Sequence, residues 1–252
     1  MPSARGVASY RSADASSQTR TDKNIAVVTG LRREVGRLVK DWKSVTRQYE
    51  GRDIQFLESG GVALVCGGIG AEHARRATEA IITLYKPGLI VSAGFAGALN
   101  SELKVGDCLI PRWVIDAKDG SRIDTGSGDG VLVSYGEVAG ERVKAKLAEI
   151  YGAQAVDMEA AAVARGAEAH QIPFSAVKVI SDRLEFAMPP VQGFVDRKGQ
   201  FQTVRFAAYV AIRPWLWKSV VQLGRNSSIA SRVLRNTLAK RVYFGEDSIQ
   251  PR

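Results

Sequence analysis

The chain has 252 residues, 45% of them hydrophobic, enough for one α/β domain with tails and not requiring two. No apolar run approaches the roughly 20 residues of a membrane-spanning helix, and two cysteines with two histidines supply neither a disulfide framework nor a metal-ligand cluster of known spacing. The formal net charge is +9, and beyond Arg197 the only acids are Glu246 and Asp247. That basic tail has no zinc-finger spacing, aromatic RNA-binding motif or helix-turn-helix pattern, so nucleic acid is not an expected partner.

Residues 1–22 are rich in Ser, Ala, Arg and Thr, lack the apolar block of a secretory signal, and read as a disordered leader. Ile25 to Gly30 reads as a first strand, followed by a polar turn with Arg32, Arg33 and Glu34 and a helix through Leu38 and Trp42. Val62 to Cys66 reads as a second strand, ending in Gly67-Gly68-Ile69-Gly70; helical spacing then runs from Ala71 to Tyr85 and stops at Lys86-Pro87-Gly88. Leu89 to Gly94 is a buried strand opening into the glycine-rich turn Gly94-Phe95-Ala96-Gly97. Cys108 to Ile115 reads as a strand, Asp116 to Gly130 as a loop, and Val131 to Val138 as a return to the sheet. An alanine-rich helix begins at Glu159 and runs to about His170, and Phe174 to Ile180 is a buried strand. This alternation predicts an α/β fold over residues 23–200: three αβα layers, with helices flanking a central, mostly parallel or mixed sheet. Beyond Met188-Pro189-Pro190 and a turn at Gly193 to Gly199, residues 201–252 read as a basic helical extension, packed on the domain or at a surface, with a break at Arg213-Pro214. Cys66 and Cys108 lie in apolar segments and are expected as buried free thiols in a reducing compartment.

Three acids follow apolar strands: Glu34, Glu159 and Asp182. Each has an ordinary explanation, as a solvated surface charge, a helix-terminus carboxylate and a turn residue respectively. All three nevertheless fall at one edge of one sheet, where open α/β sheets bind ligands outside the carboxyl ends of their strands. Gly68-Ile69-Gly70-Ala71-Glu72-His73 begins like a dinucleotide fingerprint but has His73 at the third glycine and no pairing acid about 20 residues on, so no cofactor is expected. Gly94-Phe95-Ala96-Gly97 can bring backbone amides close to a ligand or simply pack strand against helix. By period-two counting Lys178 shares a strand face with Asp182, either paired with an acid or solvated at the strand end.

Four segments in order, Val28 to Val35, Val91-Ser92-Ala93-Gly94-Phe95-Ala96-Gly97-Ala98-Leu99, Val156-Asp157-Met158-Glu159-Ala160 and Val179-Ile180-Ser181-Asp182, resemble the nucleoside phosphorylase superfamily. Within it the likeness is to the methylthioadenosine and adenosylhomocysteine nucleosidases. The resemblance implies release of adenine from a 5′-substituted adenosine. Asp182 then corresponds to the acid that protonates purine N7, with Ser181 orienting it; such a carboxyl needs a raised pKa, which a dry pocket supplies. Glu159 corresponds to the residue on the ribose hydroxyls, Met158 packs on the sugar, and Gly94 and Phe95 belong to the substrate-binding turn. The family's purine phosphorylases place arginines near the positions of Glu34 and Ser92 to hold phosphate; Glu34 instead matches the carboxylate that activates water, and it would repel phosphate. Hydrolysis is therefore the first reading. Arg32 and Arg33 keep phosphate-dependent cleavage as the alternative, and a non-catalytic nucleoside- or membrane-binding protein of the same fold is the alternative of another class.

The segment Val133-Ser134-Tyr135-Gly136-Glu137-Val138 departs from the usual base-binding block of the nucleosidases. The tail looks more like the hopanoid-associated branch of the superfamily, whose proposed substrate is adenosylhopane. Trp215, Leu216, Trp217, Val220, Val221 and Leu223 beside Lys218, Arg225, Arg232 and Arg235 suit anionic headgroups, the other reading being a helix packed on the domain or at an oligomer interface. The expectation is a cytoplasmic, metal-free homo-oligomer, a dimer in the first place, acting on a small-molecule purine nucleoside, with peripheral contact to the inner membrane surface through the tail.

Overall fold

The computed structural model describes residues 24–244, so the leader reading lies outside the described residues. In chain order the elements are β1 (Ile25–Thr29), α1 (Arg32–Val35), β2 (Lys43–Tyr49), β3 (Arg52–Ser59), β4 (Val62–Cys66), α2 (Ala71–Tyr85), β5 (Leu89–Ala98), β6 (Cys108–Leu109), β7 (Trp113–Asp116) and β8 (Arg122–Asp124). There follow β9 (Val131–Ser134), α3 (Glu141–Tyr151), β10 (Ala155–Asp157), α4 (Ala160–Ala169), β11 (Phe174–Asp182), α5 (Thr203–Ala211) and α6 (Trp217–Phe244).

The strands form one mixed sheet of 11 strands. β1, β4, β5 and β11 run parallel, as their near-continuous apolar sequences require when both faces are covered. α2 and α4 cover one face, burying Ala77, Ile81, Ala160, Val163 and Ala164 with Val28, Ile90 and Ile180. α6 covers the other: Ala230, Leu234 and Leu238 are buried with Val91, Val177 and Val179. The three-layer αβα architecture is thus present, and its second outer layer is the C-terminal helix.

The central strand β5 sets the position of the site. β11 pairs along one edge of it from Ile90 to Gly97. The opposite edge is divided: β1 pairs with Leu89 to Ala93, and the antiparallel β10 meets only Gly97 and Ala98. Gly94, Phe95 and Ala96 have no strand partner on that edge, so the sheet opens at the carboxyl end of β1, where a change of strand order makes a crevice.

Several local expectations are corrected. The helix after β1 is the single turn of α1, and residues 36–41 are turns. β2 and β3 form a hairpin that carries no readable hydrophobic alternation, because most of β2 is exposed on both faces; Glu50 and Gly51 make its turn at φ 48° and 72°. Cys108 to Ile115 is broken at Ile110-Pro111 into β6, which joins β11, and β7, which joins β9; proline has no N–H for the ladder. The loop from Asp116 to Gly130 contains β8, and the strand beginning at Val131 ends at Ser134. β5 continues through Ala98, so Gly94-Phe95-Ala96-Gly97 is strand and not turn. Cys108 is exposed and Cys66 half-buried, both as free thiols.

Candidate active site

A cavity of about 320 Å³ opens at this crevice. Glu34, Phe95, Met158, Glu159, Ser181 and Asp182 all line it, reaching it from α1, β5, the β10–α4 junction and the end of β11. Gly94 stands beside them, with Glu34 Oε2 3.5 Å from the position a Cβ would take there. Ser92 is buried, its hydroxyl has no partner among the described residues, and it does not line the cavity.

Glu34 is not a solvated surface charge. Its Oε2 accepts hydrogen bonds from Thr29 Oγ1 at 2.6 Å and from the Leu31 amide at 3.1 Å, so the side chain folds back over the start of its own helical turn. The flanking Arg32 and Arg33 are exposed; Arg33 reaches the cavity and lies over the Phe201 ring, whereas Arg32 turns away to Gln55. Burial raises the Glu34 pKa above the ordinary carboxylate range, against the Thr29 and Leu31 hydrogen bonds and the charges of Lys178 and Arg33.

Glu159 precedes α4 and receives the Gly70 amide on Oε1 at 2.9 Å. The Gly67–Gly70 turn therefore hands a backbone donor to a carboxylate. Desolvation and the neighbouring Asp157 push the Glu159 pKa up to about 7, opposed by Lys178 and the Gly70 amide. Asp157, the last residue of β10, caps α4 through the Ala160 amide at 2.8 Å and accepts the Ser134 hydroxyl at 2.5 Å.

Asp182 is 5% exposed. Its Oδ1 accepts the Ser181 hydroxyl at 2.7 Å, and its Oδ2 contacts Lys144 Nζ at 2.5 Å. Lys144 comes from α3, is itself 1% exposed, and also donates to the Arg183 carbonyl at 2.7 Å. The dry pocket expected around Asp182 thus contains an ammonium partner that the sequence reading did not include. Lys178 is equally buried and donates to Asp157 Oδ2 at 2.8 Å, which removes the solvated alternative. Burial disfavours the Lys178 charge, but Asp157, Glu159 and Glu34 more than offset that, and its pKa stands above the ordinary lysine value.

The register explains the glycines of β5. Lys178 pairs opposite Gly94 and Asp182 opposite Gly97, with a register shift between Ile180 and Asp182. That irregularity sets the five residues Lys178 to Asp182 on β11 against the four from Gly94 to Gly97 on β5, and it brings the adjacent Ser181 and Asp182 to one cavity. A Cβ on Gly97 would stand 2.9 Å from Asp182 Oδ2 and 3.1 Å from Lys144 Cε; one on Gly94 would stand 3.6 Å from Lys178 Nζ. These glycines make room for charged side chains, a role different from the approach of backbone amides to a ligand.

A concave crevice lined by Glu34, Asp157, Glu159, Asp182 and the buried Lys144, with the buried Lys178 paired to Asp157, defines a site for a small polar ligand, in a fold that opens where its strand order changes. The chain belongs to the Phosphorylase superfamily, whose family model matches residues 24–136 and 125–204. It is 28% identical over 175 residues to the 5′-methylthioadenosine/S-adenosylhomocysteine nucleosidase of Bacillus subtilis (strain 168), covering 54% of this chain and 71% of that relative. The native futalosine hydrolase of Helicobacter pylori strain 26695 superposes with a TM-score of 0.61 at 16% identity, over 86% of this chain and 97% of that one. The Helicobacter pylori 5′-methylthioadenosine/S-adenosylhomocysteine nucleosidase with butyl-thio-DADMe-Immucillin-A gives 0.59 at 17% identity, over the same shares.

Proposed function

We propose that this protein is a purine nucleosidase that hydrolyses the N-glycosidic bond of a 5′-substituted adenosine and releases adenine. The observation that carries the proposal is the convergence of Glu34, Glu159 and Asp182 on one cavity, with Ser181 bonded to Asp182. The relatives named as nucleosidases support the same reading.

Cleavage passes through an oxocarbenium-like sugar, so the site must accept charge at the base, hold the ribose and present water. Asp182 donates a proton to purine N7 as the C1′–N9 electrons pass to the base. Lys144 Nζ lies 2.5 Å from Asp182 Oδ2 and the Ser181 hydroxyl bonds Oδ1, so both oxygens of the carboxyl are held in place. Glu159 accepts the ribose hydroxyls, and its negative charge favours positive charge on the ring. Met158 packs on the sugar, with Phe95 and Gly94 bounding the same space. Glu34 takes a proton from water as the oxygen bonds to C1′; both of its hydrogen bonds fall on Oε2, and burial strengthens it as a base. The products are adenine and the 5-substituted ribose.

Purified protein is to be incubated with methylthioadenosine, adenosylhomocysteine and an adenosyl-lipid analogue, with and without phosphate, and adenine measured by chromatography. Adenine release without phosphate is the expected result. No adenine under any condition overturns the enzymatic reading. Release only with phosphate favours phosphorolysis, the second reading, for which the presence of Arg33 in the cavity lining speaks.

For the C-terminal segment we propose that the described part, residues 201–244, is a basic helical extension that touches a membrane surface peripherally, residues 245–252 lying outside the described residues. Trp215 is 71% exposed and Trp217 52%, and both lie beside Lys218. Among the described residues no helix is long and apolar enough to cross a membrane.

A further inference from the structure

A second cavity, of about 350 Å³, adjoins the first and shares Arg33, Phe95 and Ser227 with it. Its walls come from α1 and the turn after it, from Phe95 on β5, and from one stretch of α6. Four arginines line it, Arg33, Arg37, Arg232 and Arg235, together with serine hydroxyls and no carboxylate.

Packing brings these charges together. Val35 and Val39 bury one side of the wall, and Ala230, Leu234 and Leu238 fix α6 against the same core. Ser231 locks the two elements by donating to the Glu34 carbonyl at 2.8 Å and accepts from Arg235 Nη1 at 2.9 Å. Among the described residues none of the four arginines forms an ion pair, although the charge of Arg33 is felt by Glu34, and Arg37 and Arg232 have no hydrogen bond either. Arg235 feels this crowding: burial and then the charges of Arg37 and Arg232 lower its pKa. Like charges held together without a counter-ion repel one another, and an anion placed among them removes the repulsion.

We propose that this cleft binds a phosphoryl group. A guanidinium offers its donors in a planar fork that matches two phosphate oxygens at once. Four such forks exceed what a single carboxylate can accept and suit a dianion with three terminal oxygens, and Ser227 and Ser228 add hydroxyl donors on the α6 side. Half of the cleft is built by the C-terminal helix. Arg37, Arg232 and Arg235 lie outside the lining of the catalytic cavity, and of the four arginines Arg33 alone is shared with it. The inference goes beyond the nucleosidase reading and does not rest on it, because binding is measured without turnover.

The phosphoryl group can come as free phosphate or on a lipid headgroup, and two arms separate these sources. In the first, inorganic phosphate is titrated into the full-length protein by calorimetry at a fixed chloride concentration. In the second, the protein is sedimented with phosphatidylcholine vesicles with and without phosphatidic acid. Both are repeated on Arg37→Gln/Arg232→Gln, a pair of exposed residues outside the catalytic cavity, after the melting temperature has been checked against wild type. Saturable binding in either arm, weakened about tenfold or more by the double substitution, is expected and identifies the source. Absence of saturable binding in both arms overturns the proposal, and so does equal affinity in wild type and variant.

Discussion

Lys178→Met tests the electrostatic centre of the site. The lysine is 1% exposed, its partner Asp157 is 4% exposed, and their contact is 2.8 Å. Methionine keeps most of the volume and removes the charge. Breaking a buried pair by deleting one partner costs about 3–5 kcal/mol, because the other charge is left unpaired. Asp157 keeps the Ser134 hydroxyl and the Ala160 amide, which places the expected loss toward the lower end of that range. At about 2–4 °C per kcal/mol for a chain of this size, the melting temperature should fall by roughly 10 °C. A kinetic consequence follows independently. Lys178 holds down the pKa values of both Glu34 and Glu159, which burial has already raised. A unit charge about 6 Å from a carboxylate, at an effective dielectric of about 20, contributes roughly 3 kcal/mol, or close to 2 pH units. Water entering through the open cavity reduces this to about 1–2 units. The acid limb of kcat/KM for methylthioadenosine should therefore move to higher pH by that amount, with the activity above pH 8 less affected. Calorimetry and a pH–rate profile from pH 5 to 9 measure the two effects. A variant that melts within 2 °C of wild type and keeps its acid limb would refute the placing of Lys178 as the counter-ion of these acids.

Asp182→Asn should lower adenine release by about 10²–10⁴-fold and also lower the melting temperature, because the buried Lys144 loses its carboxylate partner; near-normal turnover would remove Asp182 from the acid role. Gly97→Ala should lower kcat strongly, because the added Cβ meets Asp182 Oδ2 at 2.9 Å and the Lys144 stem at 3.1 Å; unchanged kcat would show that the pair can shift without consequence. Glu159→Gln tests linkage. The folded pKa of Glu159 is raised to about 7, so its contribution to stability is full below the unfolded value of 4.5 and is lost as pH rises through about 7. The melting temperature of the variant should accordingly gain on wild type between pH 5 and pH 7.5 and then stay level; a constant difference across that range would contradict the raised value. Trp215→Ala/Trp217→Ala should reduce sedimentation with anionic vesicles, and equal pelleting of the variant would count against peripheral contact through that face.

The alternation of apolar runs and glycine-rich or helical segments carried the three-layer α/β architecture, because strands buried on both faces must be apolar and the helices between them must be amphipathic. Helices α2 and α4 and strands β1, β4 and β11 stand close to their expected places. The hairpin of β2 and β3 was not legible, since its exposed faces leave no apolar period. α3 was not read either, and with it went Lys144, which looks in sequence like any lysine of the segment Glu141 to Tyr151.

The acids were legible as residues that follow strands, and their order along the chain carried the family. The sequence by itself determined which carboxylates stand at the ends of which strands, because that depends only on local pattern. Tertiary structure decided what surrounds them. The divided edge of β5 opens the cavity, the irregularity in β11 turns Ser181 and Asp182 to the same space, and packing from distant segments buries Lys144 and Lys178 against the acids. Charge pairing and burial depend on contacts between residues far apart in sequence, here 38 residues for Lys144 and Asp182, and no local pattern specifies them.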